Sequence, residues 1–325
     1  MALDPELRHR FRADLLALCD MGGAMLGVAY SGGPDSLALL ILAQEAFHGQ
    51  VEAATVDHGL RPESADEAAL AAENCLQLGV HHQVLKVEVA RGNLQAEARR
   101  ARYAALTDWA RRRGLSYILT AHHADDQAET FLMRANRGSG LFGLAGVRPI
   151  APTSEDDITI VRPLLSWRRR ELGALVETSG FPSVADPSNE DDRFDRVQMR
   201  SALAEADFIN LQGLANSAQN LSALEDDIAG LVLEEWASTV EESGNGFAYR
   251  PFARSIIERP VFWGEVLRVI GEDLGAPLTR RNTAQMIESL LEGKPVNIAG
   301  VQASSGRVDG EVLWTFAPEN PRRTG

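Results

Sequence analysis

Residues 24–36 read Ala24-Met25-Leu26-Gly27-Val28-Ala29-Tyr30-Ser31-Gly32-Gly33-Pro34-Asp35-Ser36. The apolar run at 24–30 predicts a buried strand, and the apolar stretch 37–47 behind it predicts a helix, so the glycine pair falls at a strand-to-helix turn. Consecutive glycines let backbone N–H groups turn inward and approach an anion more closely than a Cβ permits. Pro34 suits the first helical position, and the helix N-terminus aims its partial positive charge at the same point. With the Ser31 and Ser36 hydroxyls added, the stretch Ser31, Gly32, Gly33, Pro34, Ser36 reads as a phosphate cradle. It lacks the Gly-Lys-Ser/Thr ending of a Walker A loop. The bland alternative is a tight turn whose Asp35 merely favours the helix dipole. Asp35 is the informative oddity, because a carboxylate among phosphate oxygens is repelled unless a cation bridges them or it takes up a proton. It predicts a Mg²⁺ ion shared between Asp35 and a polyphosphate.

Outward from this turn, apolar runs at 51–56, 84–89, 117–120 and 158–161 alternate with helical patterns at 37–47, 64–78, 94–113 and 124–137. That alternation predicts an α/β fold, a doubly wound parallel sheet, with ligands beyond the carboxyl ends of the strands. The loops after Tyr30, Val56 and Thr120 are therefore the places to search. A second region follows. Leu221, Leu224, Ile228 and Leu231 recur at intervals of three, four and three, on one face of a helix. Helical patterns at 260–273 and 279–291 and a hairpin at 301–316 around Asp309-Gly310 complete it. The expected division is a catalytic domain over 1–205 and a smaller, mainly helical domain over 206–325.

With 325 residues, 45% of them hydrophobic, the chain is long enough for two such cores. The net charge of −14 argues against a generally adhesive nucleic-acid binder, yet residues 91–150 carry ten arginines against five acids. Only Lys86 and Lys294 are lysines, which favours planar, bidentate contacts to phosphate, although codon usage would give the same bias. Cys19 and Cys75 form no CxxC, which weighs against a disulfide framework, a zinc ribbon or an iron–sulfur cluster. No apolar run approaches a membrane span and residues 1–14 carry no signal-peptide core, so the expected location is cytoplasmic, with no membrane partner.

Ser31–Ser36 after the first strand resembles the signature of the PP-loop ATP pyrophosphatases. Further stretches narrow the resemblance to the lysidine-forming tRNA synthetases within that superfamily. They are Val56-Asp57-His58-Gly59-Leu60-Arg61; Glu97-Ala98-Arg99 with Arg102-Tyr103; the run 120–127 (TAHHADDQ) with Glu129-Thr130; and Arg137-Gly138-Ser139-Gly140-Leu141. Arg162-Pro163-Leu164-Leu165 and Asp186 with Ser188-Asn189 follow, in order, over residues 26–200. The resemblance implies ATP as substrate, with Asp57 and His58 at the edge that receives adenine and ribose. It implies transfer of AMP to the wobble cytidine of a tRNA(Ile) with a CAU anticodon, then attack by L-lysine. Arg99, Arg102, Arg137, Arg193, Arg196 and Arg200 are the candidates for holding the RNA. The competing readings are a PP-loop tRNA thiolase and a protein that senses a nucleotide without turning it over. Whether the chain acts as a monomer or a homodimer is left open.

Asp125 and Glu129 share a helix face, with Asp126 beside them. Either Asp125 or Asp126 is expected to complete the Mg²⁺ site, with Asp126 the preferred ligand, or to serve as a general base. The alternative is simple N-terminal helix acids. His122-His123 lacks the i, i+4 spacing of a helical zinc pair. Gly138–Gly143 matches GxGxxG but follows a helix, so the dinucleotide mechanism lacks its context.

Overall fold

A computed structural model describes residues 3–59, 64–90, 92–153, 158–184, 195–206, 208–253 and 257–319. The chain divides into two compact units, residues 1–222 and 223–325. The boundary falls within a long helix, whereas the boundary read from the sequence, 205/206, lies just ahead of that helix.

The first unit runs α1 (Pro5–Leu16), β1 (Leu26–Ala29), α2 (Pro34–Ala46), β2 (Val51–Asp57), α3 (Ser64–Gln77), β3 (His81–Lys86), α4 (Leu94–Arg113), β4 (Tyr117–Leu119), α5 (Ala124–Asn136), α6 (Leu141–Leu144), β5 (Ile150–Pro152), β6 (Thr159–Val161), α7 (Arg169–Ser179) and α8 (Asp195–Glu205). Helix α9 (Leu211–Thr239) crosses into the second unit. The strand order is β3-β2-β1-β4-β6-β5, parallel except for the hairpin strand β5. This is the doubly wound sheet anticipated above. Its order reverses between β1 and β4, so the loops after those strands flank one crevice.

Packing explains the helices. Residues 36–44 of α2 are all buried, so this helix is apolar all round and forms the centre of the core between α1, α7 and the sheet. On the other face Trp109 of α4 lies against β1. A Cβ at Gly27 would come within 2.7 Å of its ring, so only glycine admits that contact. Helix α1, unmarked by apolar periodicity, is started by Asp4, whose carboxylate accepts the Glu6 N–H, and by Pro5; it buries Phe11 and Leu15. Strand β3 sits three residues earlier than the expected 84–89. Its register on β2, Glu52 opposite His81 through Asp57 opposite Lys86, fixes it there.

In the second unit the strands are β7 (Val240–Ser243), β8 (Gly246–Tyr249), β9 (Val296–Ile298), β10 (Val301–Val308) and β11 (Glu311–Pro318), with helices α10 (Pro260–Asp273) and α11 (Arg280–Leu291). The expected hairpin, β10–β11, is present as two strands of a five-stranded antiparallel sheet ordered β7-β8-β11-β10-β9. Trp263, Trp314, Tyr249 and Phe252 interlock edge to face in its core, with centroids 5.0–5.9 Å apart. Among the described residues no helix is long and apolar enough to cross a membrane.

Candidate active site

At the carboxyl ends of β1, β2 and β4 a cleft of about 440 Å³ is lined by Tyr30, Ser31, Ser36, His58, Glu67, Arg99, Arg102, Tyr103, His122 and Asp126, among others. One wall is the glycine turn. Gly32 adopts φ +83°, a conformation that favours glycine, and Gly33 caps α2 with Pro34 in the first turn. The Ser36 hydroxyl accepts the Ser31 N–H at 3.2 Å and donates to the Gly33 carbonyl at 2.9 Å. Both serine oxygens thus converge on the turn, 3.0 Å from each other.

Asp35 points from the first turn of α2 toward His123. The His123 Nε2 lies 3.5 Å from the Asp35 carboxylate and 3.6 Å from that of Asp126. Two carboxylates from opposite sides of the crevice therefore meet at one imidazole. The ring is fixed by helix capping: its Nδ1 accepts the Asp126 N–H at 3.4 Å, while the Asp126 carboxylate accepts the His123 N–H at 3.1 Å. With Nδ1 accepting, Nε2 carries the proton and donates toward the acids. Burial works against a charge on His123, but the hydrogen bond to Asp35 and the charges of Asp126, Asp35 and Asp125 prevail and raise its pKa.

The neighbouring acid does something else. Asp125 takes both bonds of the Arg168 guanidinium, at 3.1 and 3.0 Å, and the Arg169 N–H at 2.8 Å. Burial would raise its pKa, but these partners outweigh it and lower the pKa. Asp125 is not among the cleft-lining residues; it fastens α5 to the start of α7. Of the two acids, Asp126, the metal ligand preferred from the sequence, lines the cleft, whereas Asp125 is committed to Arg168 and Arg169.

The opposite wall is basic. Arg99 and Arg102 lie over the Tyr103 ring at 4.9 and 5.5 Å. Arg102 is half-buried in the cleft wall, where desolvation lowers its pKa, and has no carboxylate partner among the described residues. Sequence reasoning did not single out Arg162 as a site residue. It is 6% exposed, bonds Tyr103, and leaves its Nε without a partner among the described residues. Its position just past the carboxyl end of β6 is the signal that would have found it. His122 is driven down to about 4, first by burial and then by Arg162, Arg99 and Arg102, with Asp126 opposing. That shift favours the neutral imidazole within the cleft.

Other candidates fall elsewhere. Asp57 accepts the Gly59 N–H at 2.8 Å, a bond that lowers its pKa and commits the carboxylate to a turn, whereas His58 beside it lines the cleft. Arg200 closes on Glu129 at 2.6 and 3.2 Å and reaches Asp126 at 3.7 Å; it neutralises acids within the protein. Arg137 is an exposed residue at the end of α5. Arg193, the side chain of Arg196, Arg61, Asp186, Ser188 and Asn189 lie outside the described residues. Neither cysteine lines the cleft. Burial pushes the Cys75 thiol up to about 12, and burial followed by Asp20 raises that of Cys19.

A family model described as the PP-loop domain matches residues 7–206. The chain is 43% identical to the tRNA(Ile)-lysidine synthase of Novosphingobium aromaticivorans over 96% of its own length and 94% of the relative's. It is 40% identical to that of Zymomonas mobilis subsp. mobilis over 98% and 96%. The chain belongs to the tRNA(Ile)-lysidine synthase family. A solved structure with the same fold is the U34-tRNA thiolase NcsA of Methanococcus maripaludis, at TM-score 0.55 and 17% identity, over 68% of this chain and 78% of that one. The PP-loop family uses ATP.

Proposed function

We propose that this chain joins L-lysine to C2 of the wobble cytidine of a CAU-anticodon tRNA(Ile), consuming ATP and releasing AMP and pyrophosphate. The observation that carries the reading is the meeting of Asp35 and Asp126 at His123 beside the glycine turn. Pure nucleotide binding needs no such pair of acids next to a triphosphate.

Cytosine C2 is a poor electrophile, and its oxygen must become a leaving group before nitrogen can replace it. The C2 oxygen attacks the α-phosphorus of ATP, forming a P–O bond as the bond to pyrophosphate breaks. The turn's N–H groups and the Ser31 and Ser36 hydroxyls hold the departing phosphates. Mg²⁺ suits this site, since it binds through one or two carboxylates plus phosphate oxygens; Asp35 and Asp126 would hold it, and it would offset the phosphate charge. The ε-amine of lysine then forms the C2–N bond, the C2–O bond breaks, and AMP departs. A carboxylate takes the proton from the amine. The basic wall of Arg99, Arg102 and Arg162 around Tyr103 supplies charge and a ring for an extruded nucleotide. Such a substrate places the reaction in the cytoplasm.

The test supplies purified protein with a CAU-anticodon tRNA(Ile) transcript, ATP, Mg²⁺ and labelled lysine. Label retained on the RNA with stoichiometric AMP is expected. ADP among the products, or label that never enters the RNA, sinks the reading.

A further inference from the structure

Asn74 lies in α3, outside the cleft, and is fully buried. Its side-chain N–H₂ donates twice: to the Tyr30 hydroxyl at 2.8 Å and to the Pro182 carbonyl at 2.9 Å. Tyr30 is the residue immediately before the glycine turn, and its own backbone is held by the Ala54 carbonyl at 2.9 Å and the Thr55 hydroxyl at 2.7 Å. Pro182 belongs to the extended segment 181–184 that follows α7. Two residues on, the Val184 N–H donates to the Gly32 carbonyl at 2.9 Å, and a Cβ at Gly32 would stand 3.1 Å from the Val184 side chain. The segment is therefore pinned at two points, once to Asn74 and once to the glycine whose left-handed backbone shapes the turn.

We propose that Asn74 is a positioning residue for the phosphate turn, acting through the strap 181–184 that it anchors against Gly32. The Asn74 Oδ1 has no partner among the described residues, a buried acceptor left unsatisfied. An apolar side chain of the same size would avoid that cost. The amide cannot be flipped to mend it, because Oδ1 would then face the Pro182 carbonyl. What the amide supplies is a fixed distance between the end of β1 and the strap. That distance holds the Gly32 carbonyl on Val184, so the N–H groups of the turn stay aimed at the anion.

This inference rests on the assignment of residues 31–36 to the triphosphate, and the experiment separates the two. ATP affinity by calorimetry, with KM for ATP and kcat, is measured for the parent protein, Asn74→Leu, Val184→Pro and the double variant. Asn74→Leu removes both donors while keeping the branched shape in a somewhat larger side chain. Val184→Pro removes the N–H that reaches Gly32, together with the valine side chain beside that glycine, on a half-exposed segment outside the buried core. Each single variant is expected to raise KM and Kd for ATP about tenfold with kcat within about threefold, the scale of one or two lost hydrogen bonds. The double variant should be no worse than the weaker-binding single, since both act through one strap. A lower melting temperature with unchanged KM makes Asn74 a core residue only and overturns the proposal. So do fully additive losses. Should Asn74→Leu fail to fold, unchanged ATP binding by Val184→Pro still refutes it. A parent that takes up no ATP removes the turn assignment itself.

Discussion

In the second unit Arg250, Arg268, Arg280 and Lys294 each rest against a carboxylate, and the core beneath them is closed by interlocked tryptophans. In the first unit buried Arg162 and half-buried Arg102 have no carboxylate among the described residues, while Asp35 and Asp126 crowd a single imidazole and Asp126 also meets Arg200 at 3.7 Å. A chain selected only for stability would pair these groups across the cleft. Leaving two arginines of one wall without an acid, opposite acids that share His123 and Arg200, costs folding energy that a bound anion would offset. The second unit shows no comparable separation. Its own described cavity, near Arg259 and Phe262, has a mostly apolar lining that includes Glu234 and Glu235.

The comparison predicts that damage in the two units reads out differently. Asp35→Asn should cut pyrophosphate release about 10³-fold while moving the melting temperature little, because its side chain is partly exposed and its hydrogen-bonding shape is preserved. Trp263→Ala should do the reverse, costing about 3–5 kcal/mol of stability and leaving ATP affinity of the folded fraction unchanged. Calorimetric titration beside urea unfolding checks both. An ATP affinity that falls with Trp263→Ala would break the division of labour.

Adjacent residues of the first unit sharpen it further. Asp125→Asn weakens the clamp on Arg168 and should cost about 2 kcal/mol of stability with turnover within about threefold of the parent. Asp126→Asn still accepts the His123 N–H, so stability should hold while turnover falls about 10²-fold. The same effect from both substitutions would show that the geometry had not distinguished them.

The contrast between these two acids also shows what sequence conveys. The turn at 31–36 was legible because glycine pairs, proline and flanking periodicity are local signals, and the strand–helix alternation around it gave the sheet. Strand β7 and its partner β8 were not, since short strands paired within a five-stranded sheet carry too few residues for periodicity to register. Partner choice was equally hidden. Nothing within 120–130 says that Asp125 meets Arg168, 43 residues away, or that Arg200 turns inward to Glu129 across 71. Asn74 was missed for the same reason: its role arises from what folding places beside it, and a single sequence contains no record of that. Arg162 differs, since its place just past β6 was a signal that went unread.

The smallest effect concerns acid sensitivity, and it too should belong to one unit. All seven histidines precede residue 124, so the second unit has none to protonate. His122 is held down to about 4, chiefly by burial, whereas in the unfolded chain it titrates near ~6.5. Between those values the unfolded state binds more protons. The contribution of His122 to stability is therefore fully present above ~6.5 and declines as pH falls toward 4. Urea unfolding of the parent and His122→Asn should differ in slope against pH. The parent should lose about 1 kcal/mol more than the variant on going from about pH 7.5 to about pH 5.5. Trp236, Trp263 and Trp314 lie in the second unit and Trp109 and Trp167 in the first, so tryptophan replacements can assign the transition that moves. Parallel pH slopes for parent and variant would mean that the imidazole already carries its proton in the folded cleft. The basic wall would then be less desolvated than its burial indicates.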